Sequence, residues 1–179
     1  MFIQREKLES EKTSMFKNVV KVSAALGALF GVFLLVLAIT GHSKTPATAE
    51  QVRGILVSQD FEPADTTQPY REKWGKNGHS LIQAVSAEVE DIRFDFYLFD
   101  SDKSAEYIRK LYQSYIRDNR YDLPNAEIKE GAANYVIYTI KAGGMYTVNI
   151  RVGNTLVYAE SDEENASKIN GIVLAMEYF

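Results

Sequence analysis

One stretch of the chain carries no charge. Residues 22–41, VSAALGALFGVFLLVLAITG, are 20 consecutive uncharged positions. As a helix such a run is about 30 Å long, the thickness of a bilayer's hydrocarbon core, and it predicts one transmembrane helix. Beyond it the pattern changes to short amphipathic elements. Thr48 and Gln51 stand three apart before Val52, Ile55 and Leu56, which predicts a capped helix stopping near Asp60, ahead of Pro63. Residues 62–80 are polar and turn-rich, a long loop that holds the single Trp. Residues 81–89 fit helical and alternating periods equally. Ile92, Phe94, Phe96 and Leu98 alternate with Arg93, Asp95 and Tyr97, a strand pattern. Asp100 or Ser101 then caps a helix with Ala105, Ile108, Tyr112 and Tyr115 on one stripe.

The second half reads as sheet. Residues 133–141 and 145–152 are rich in β-branched and aromatic side chains, with Ala142, Gly143 and Gly144 as a short hairpin connection between them. Gly153 and Asn154 turn the chain into a third strand, TLVYAE, which completes an antiparallel meander. A last helix is expected from Ser161, capped by Ser161 and Glu164 and presenting Ala166, Ile169, Val173 and Met176 to a core. The expected fold class is α+β: one N-terminal transmembrane helix, then an antiparallel sheet of four or five strands with helices on one face. The expected organisation is a cytoplasmic segment at 1–21, a transmembrane helix at 22–41, an exposed tether at 42–49 and an extracytoplasmic domain at 50–179.

Charge orients the chain. Arg5, Lys7, Lys12, Lys17 and Lys21 precede the apolar run, whereas only His42 and Lys44 follow it before Arg53. The basic excess places the N-terminus in the cytoplasm and the larger domain outside the cell membrane. A cleaved signal peptide with Ala47 and Ala49 at its processing site is the competing reading. Cleavable apolar cores run about 7–15 residues, so an uncleaved single-pass anchor is favoured. Ser23, Gly27 and Gly31 recur every fourth residue, a flat stripe on which a second helix can pack. The expected partners are the lipid bilayer and, through this stripe, a membrane protein or a second copy of the chain.

Composition removes most chemistry. There is no Cys, which excludes disulfides, thiol nucleophiles and Cys-bearing zinc sites, and the two His cannot build a multi-His metal site. From Thr45 onward 14 basic and 21 acidic residues leave a net charge of −7, and no basic cluster interrupts them, so nucleic acid is not an expected partner. Asp100, Asp102 and Glu106, and again Asp162, Glu163 and Glu164, lack the spacing of a calcium loop and fit helix starts. There is no Gly-x-Ser-x-Gly elbow around a serine and no phosphate-cradling glycine loop. Glu88, Asp91 and Asp95 are the acids that a carboxylate-dependent hydrolase would draw on. No catalytic, metal or cofactor residue is expected. Tyr70, Arg71, Lys73, Trp74, Lys76 and His79 form an aromatic and basic segment in an acidic domain, and Tyr70, Arg71 and Trp74 are the candidate partner-binding residues there. The alternative for Trp74 is packing beneath its own loop or touching the lipid headgroup zone.

Phe94-x-Phe96-x-x-Phe99 followed by Ala105, then Gly153-Asn154-Thr155-Leu156 ahead of an acidic-capped helix ending at Tyr178, resembles small extracytoplasmic domains of Gram-positive bacterial lipoproteins and single-pass membrane proteins. The resemblance spans about residues 50–179 and implies a compartment and a fold, with no catalytic residue. Without a lipid-attachment Cys, only the membrane-anchored version applies. The leading expectation is a non-enzymatic, membrane-anchored binding or accessory protein. A small-ligand or cell-wall sensor using a pocket beside the sheet is the alternative, and a wall hydrolase the third. If the small-residue stripe pairs helices, crosslinking mass spectrometry of the full chain in its membrane should recover a partner that is lost in the Gly27→Leu, Gly31→Leu double variant. Recovery of monomer alone would remove helix pairing.

Overall fold

The computed structural model describes residues 43–75, 78–119, 126–130 and 134–179. The chain divides into two compact units, Met1–His42 and Ser43–Phe179. The expected transmembrane helix and the stripe of Ser23, Gly27 and Gly31 lie outside the described residues. Among those described, no helix is long and apolar enough to cross a membrane.

The second unit opens with helix α1 (Ala49–Ser58), and its capping box is present. Thr48 Oγ1 accepts from the Gln51 N–H at 3.2 Å, while Gln51 Oε1 accepts from the Thr48 N–H at 2.8 Å. The helix ends at Gln59, and Asp60 takes a positive φ of 63° that turns the chain away. A two-residue strand β1 (Ala64–Asp65) and helix α2 (Thr67–Gly75) follow where a long loop was expected. Their residues are polar because α2 lies on the surface and buries only Trp74. Residues 81–89 form strand β2 (Leu81–Val89), paired with β3 (Ile92–Phe99) through a tight turn at Glu90 and Asp91. Helix α3 (Asp102–Asn119) then leads to β4 (Ala126–Glu130), β5 (Tyr135–Ala142), β6 (Met145–Val152) and β7 (Thr155–Asp162). A short 3-10 turn (Glu163–Asn165) precedes helix α4 (Ala166–Ala175).

All strand pairs are antiparallel, in the order β1-β2-β3-β7-β6-β5-β4. Among the described residues the sheet has seven strands, more than the four or five expected, because β1 and β4 lie in segments that read as loops and β2 resolved as a strand. The β5-β6-β7 meander matches expectation. Ala142 pairs with Met145, and Gly143 and Gly144 make the turn with φ of 58° and 79°, which L side chains rarely adopt.

Helices cover both faces of the sheet, where one face was expected. On one face, Val52 and Leu56 of α1 and Ile169, Ile172 and Val173 of α4 join a core with Phe94, Phe96, Val148, Ile150 and Val157. On the other, Trp74 of α2 and Ala105, Ile108 and Ile116 of α3 pack on Tyr97, Phe99, Tyr138, Leu156 and Tyr158. Both alternating sets of β3 are therefore buried, and Tyr supplies much of the second face. On α3 the buried stripe continues through Tyr112 to Ile116, whereas Tyr115, expected on that stripe, is 57% exposed. The helical period carries residue 115 off the core side.

One expected cap forms and one is replaced. Ser101 heads α3, its Oγ accepting from the Ser104 N–H at 3.3 Å, but Ser161 remains in β7 and makes no capping box with Glu164. Asp91 instead crosses from the β2-β3 turn, accepting from the Asp162 N–H at 2.6 Å and from Asn165 Nδ2 at 2.8 Å.

The expected tether is part of the fold from residue 43. Asn134 exchanges hydrogen bonds with the Lys44 backbone, Oδ1 accepting from the N–H at 3.1 Å and Nδ2 donating to the carbonyl at 2.6 Å. Tyr178 Oη accepts from the Ala47 N–H at 2.7 Å and lies 2.6 Å from Thr155 Oγ1. Tyr178→Phe leaves buried polar groups of the strap and of β7 without their partner, a loss of about 1–3 kcal/mol. Urea unfolding of the full chain should show that loss, and an unchanged midpoint would mean that the strap is not tied to the domain's stability.

Candidate functional site

The chemistry of the domain gathers on the face covered by α2 and α3. At its centre is Asp95 on β3, 1% exposed and so in need of partners. Arg93, two residues along the same strand and on the same face, donates Nε to Asp95 Oδ2 at 2.8 Å. Ser86, its direct neighbour on β2, donates to Oδ1 and is itself 2.8 Å from Thr66 Oγ1. Tyr70 reaches down from α2, its hydroxyl 3.4 Å from Asp95 Oδ1 and 3.0 Å from Arg93 Nη2, which donates to it. Burial works against the Arg93 charge, but the Asp95 carboxylate and the Tyr70 oxygen outweigh it and hold the guanidinium protonated.

An aromatic cluster adjoins this network. Trp74 stacks on Tyr70 at 4.9 Å between ring centroids and meets Tyr97 edge-on at 4.7 Å. Tyr112 of α3 stacks on Tyr158 of β7 at 4.3 Å, and its hydroxyl lies 2.8 Å from that of Tyr97. Between α2 and α3 these rings leave a cavity of about 370 Å³. Its walls are Trp74, Ile108, Tyr112 and Tyr158, with Leu111 and Tyr115 of α3 also lining it. Lys73, Arg93 and Glu160 bring charge to it. Glu160 is there because β7 pairs with β3 and sets it opposite Arg93, and it accepts from the Tyr158 hydroxyl at 2.7 Å.

The cavity suits binding: apolar and aromatic walls with a few convergent polar groups are the usual make-up of a small-molecule site. A second hollow, about 420 Å³ between α1 and the C-terminal segment, is lined by Thr45, Pro46, Gly54, Ile55 and Met176 among others and has no aromatic ring. Among the described residues no group of three or more acids and His stands close enough to hold a metal ion.

The three sequence candidates of the outer domain are placed as follows. Tyr70 is half-buried in the Asp95 network. Trp74 is 4% exposed, a core residue that also lines the cavity. Arg71 is exposed but donates to the main-chain carbonyls of Leu81 and Ile82 at 3.2 and 2.9 Å, fastening α2 to the start of β2. His79 stands apart, stacked on Tyr107 at 4.0 Å. Of the acids weighed for hydrolysis, Asp91 is a turn clasp and Asp95 is sealed among its partners. Sequence reasoning passed over Arg93, Leu111, Tyr112, Tyr158 and Glu160 as site residues. The only trace was Tyr recurring at core-edge positions, because Arg93 and Glu160 meet through a pairing between distant strands.

No family model matches the sequence, and no curated protein is found similar to it. Three solved structures are found similar to the chain at low scores. A GTP-binding regulator from Thermotoga maritima is 12% identical, with a TM-score of 0.45 over 76% of this chain and 92% of that one. The extracellular domain of PknH from Mycobacterium tuberculosis is 12% identical, with a TM-score of 0.32 over 78% and 94%. The lipoprotein LppA from the same organism is 11% identical, with a TM-score of 0.26 over 79% and 89%. At these scores the likeness carries neither a ligand nor an activity. What fold and site define is a class: an α+β domain with an antiparallel sheet and an aromatic cavity between two helices on one of its faces.

Burial raises the pKa of the Tyr97 and Tyr112 phenols, with the neighbouring Tyr112 and Asp95 adding to it at Tyr97 and Asp95 and Tyr70 at Tyr112. Both stay neutral in the fold while unfolded phenols ionise near pH ~10. Their contribution is therefore fully present below that pH and is lost as the pH rises above it. Thermal melts should show the midpoint falling above pH ~10, with a shallower fall in the Tyr97→Phe, Tyr112→Phe double variant. An equal slope in the two proteins would separate alkaline unfolding from this cluster.

Proposed function

We propose that the protein is a single-pass, membrane-anchored, extracytoplasmic binding protein whose outer domain holds a small molecule in the cavity between α2 and α3. The observation that carries this reading is the cavity itself, walled by Trp74, Tyr112 and Tyr158 and bearing Lys73, Arg93 and Glu160. The uncharged run at 22–41 and its basic N-terminal flank support the anchor and its orientation. Binding without covalent chemistry is the preferred form. Asp95 has both oxygens engaged and is sealed from solvent, and Glu160 is the acid that lines the cavity among the described residues. A sensor or accessory role follows, in which ligand occupancy outside the membrane is reported to a membrane or envelope partner. An exposed ridge on α3, Tyr107, Leu111 and Tyr115, runs beside the cavity and supports such a partner contact.

Trp74 is the only tryptophan in the chain and lines the cavity, so its emission reports occupancy directly. With the full-length protein in lipid nanodiscs, the soluble small-molecule fraction of digested cell wall should change Trp74 emission saturably. Leu111→Tyr, which narrows the cavity while circular dichroism stays native, should weaken the response about tenfold, or ~1.4 kcal/mol. An unresponsive Trp74, or a response indifferent to Leu111→Tyr, would remove the cavity as the site.

A further inference from the structure

The cavity is lined by two cations whose donor atoms the domain itself does not all use. Arg93 commits Nε to Asp95 and Nη2 to Tyr70, and its Nη1 makes no hydrogen bond among the described residues. Lys73 forms no salt bridge among them either. Its ammonium rests over the faces of Tyr70 and Trp74, 5.6 and 5.9 Å from the centroids. Facing these two cations is Glu160, whose carboxylate already accepts from Tyr158. The lining residues thus bring two cations and one carboxylate to the cavity, inside a domain that is acidic overall.

We infer that the ligand is a small ring-bearing anion, its carboxylate or other oxyanion held by Arg93 Nη1 and Lys73 Nζ and its ring laid against Trp74 and Tyr112. The inference rests on the cavity reading above and adds the ligand's chemical class to it. A guanidinium fixed by Asp95 and Tyr70 is already oriented, so little side-chain freedom is lost when it meets an oxyanion. The aromatic walls are less polar than bulk water and strengthen the contact relative to the open surface. At about 370 Å³ the volume lies toward the lower end of ligand cavities and suits one substituted ring rather than a polymer. Glu160 accounts for selectivity in the other direction, since it repels a second negative charge placed near it.

The test uses three probes that share one ring and differ in charge: benzoate, benzyl alcohol and benzylamine. Each is titrated into the full-length protein in neutral-lipid nanodiscs with Trp74 emission as readout. Benzoate should bind about tenfold more tightly than benzyl alcohol, with benzylamine weakest. Lys73→Gln should weaken benzoate about fivefold and leave benzyl alcohol unchanged. Lys73 is an exposed surface residue, so the variant is expected to fold. Equal binding of benzoate and benzyl alcohol would overturn the anion assignment and leave the cavity reading standing. Tightest binding of benzylamine would also overturn it and make Glu160 the charge that selects. If none of the three perturbs Trp74, both the assignment and the cavity reading fall. If Lys73→Gln leaves benzoate unchanged, the assignment of Lys73 is overturned.

Discussion

A carboxylate on the middle of a sheet strand, 1% exposed, is the constraint around which this domain is arranged. Asp95 is costly to bury unless its oxygens are engaged, and the partners that engage them come from three different elements. Ser86 comes from the neighbouring strand, Arg93 from the same strand, and Tyr70 from a helix lying across both. The last of these matters most for architecture. Helix α2 is polar almost throughout and buries only Trp74, so apolar burial alone gives it little reason to settle on the sheet. The hydrogen bonds of Tyr70 and the grip of Arg71 on the carbonyls of Leu81 and Ile82 supply what its hydrophobic face lacks. Once α2 is seated, Trp74 closes one side of a space whose other side is α3, and the cavity follows.

The same arrangement explains why this face combines charge with aromatic rings. The sheet is covered on both sides, and the two sides are built differently. Beneath α1 and α4 the packing is Val, Ile and Phe with few polar atoms. Beneath α2 and α3 it is Tyr and Trp, side chains that fill a layer while keeping one polar atom to be satisfied. A layer of this second kind tolerates Arg93, Asp95 and Glu160 because hydroxyls are available within it. Tyr70 serves Arg93 and Asp95, and Tyr158 serves Glu160. Hydroxyl-bearing rings thus make a partly charged interior stable enough to leave a cavity open.

Local signals were legible where local chemistry decides the outcome. The Thr48 and Gln51 box, the Gly143-Gly144 turn and the alternation from Ile92 to Leu98 each act over a few residues, and each appears as read. Helix α2 and strand β4 were not legible, because neither has an apolar period. The first is held by side-chain hydrogen bonds and the second by ladder pairing with β5. Residues 81–89 fitted two periods at once, and pairing with β3 chose between them. The Ser161 and Glu164 box failed for a related reason. Pairing with β6 extends β7 to Asp162, so Ser161 stays in the ladder, and Asp91 takes over part of the polar pairing at that end.

For function, the sequence by itself determined the polarity division of the chain, the absence of thiol chemistry and the run of residues at 22–41 that matches a bilayer in length. It also singled out Tyr70 and Trp74 as unusual company in an acidic domain. Only the tertiary structure decided what those two residues do. Placing β7 between β3 and β6 sets Glu160 opposite Arg93 and brings Tyr158 under Tyr112, and no local pattern encodes that insertion. Side chains far apart in the chain become neighbours only when strand order is settled. Strand order is settled by the burial of both sheet faces at once, a property of the whole fold rather than of any segment.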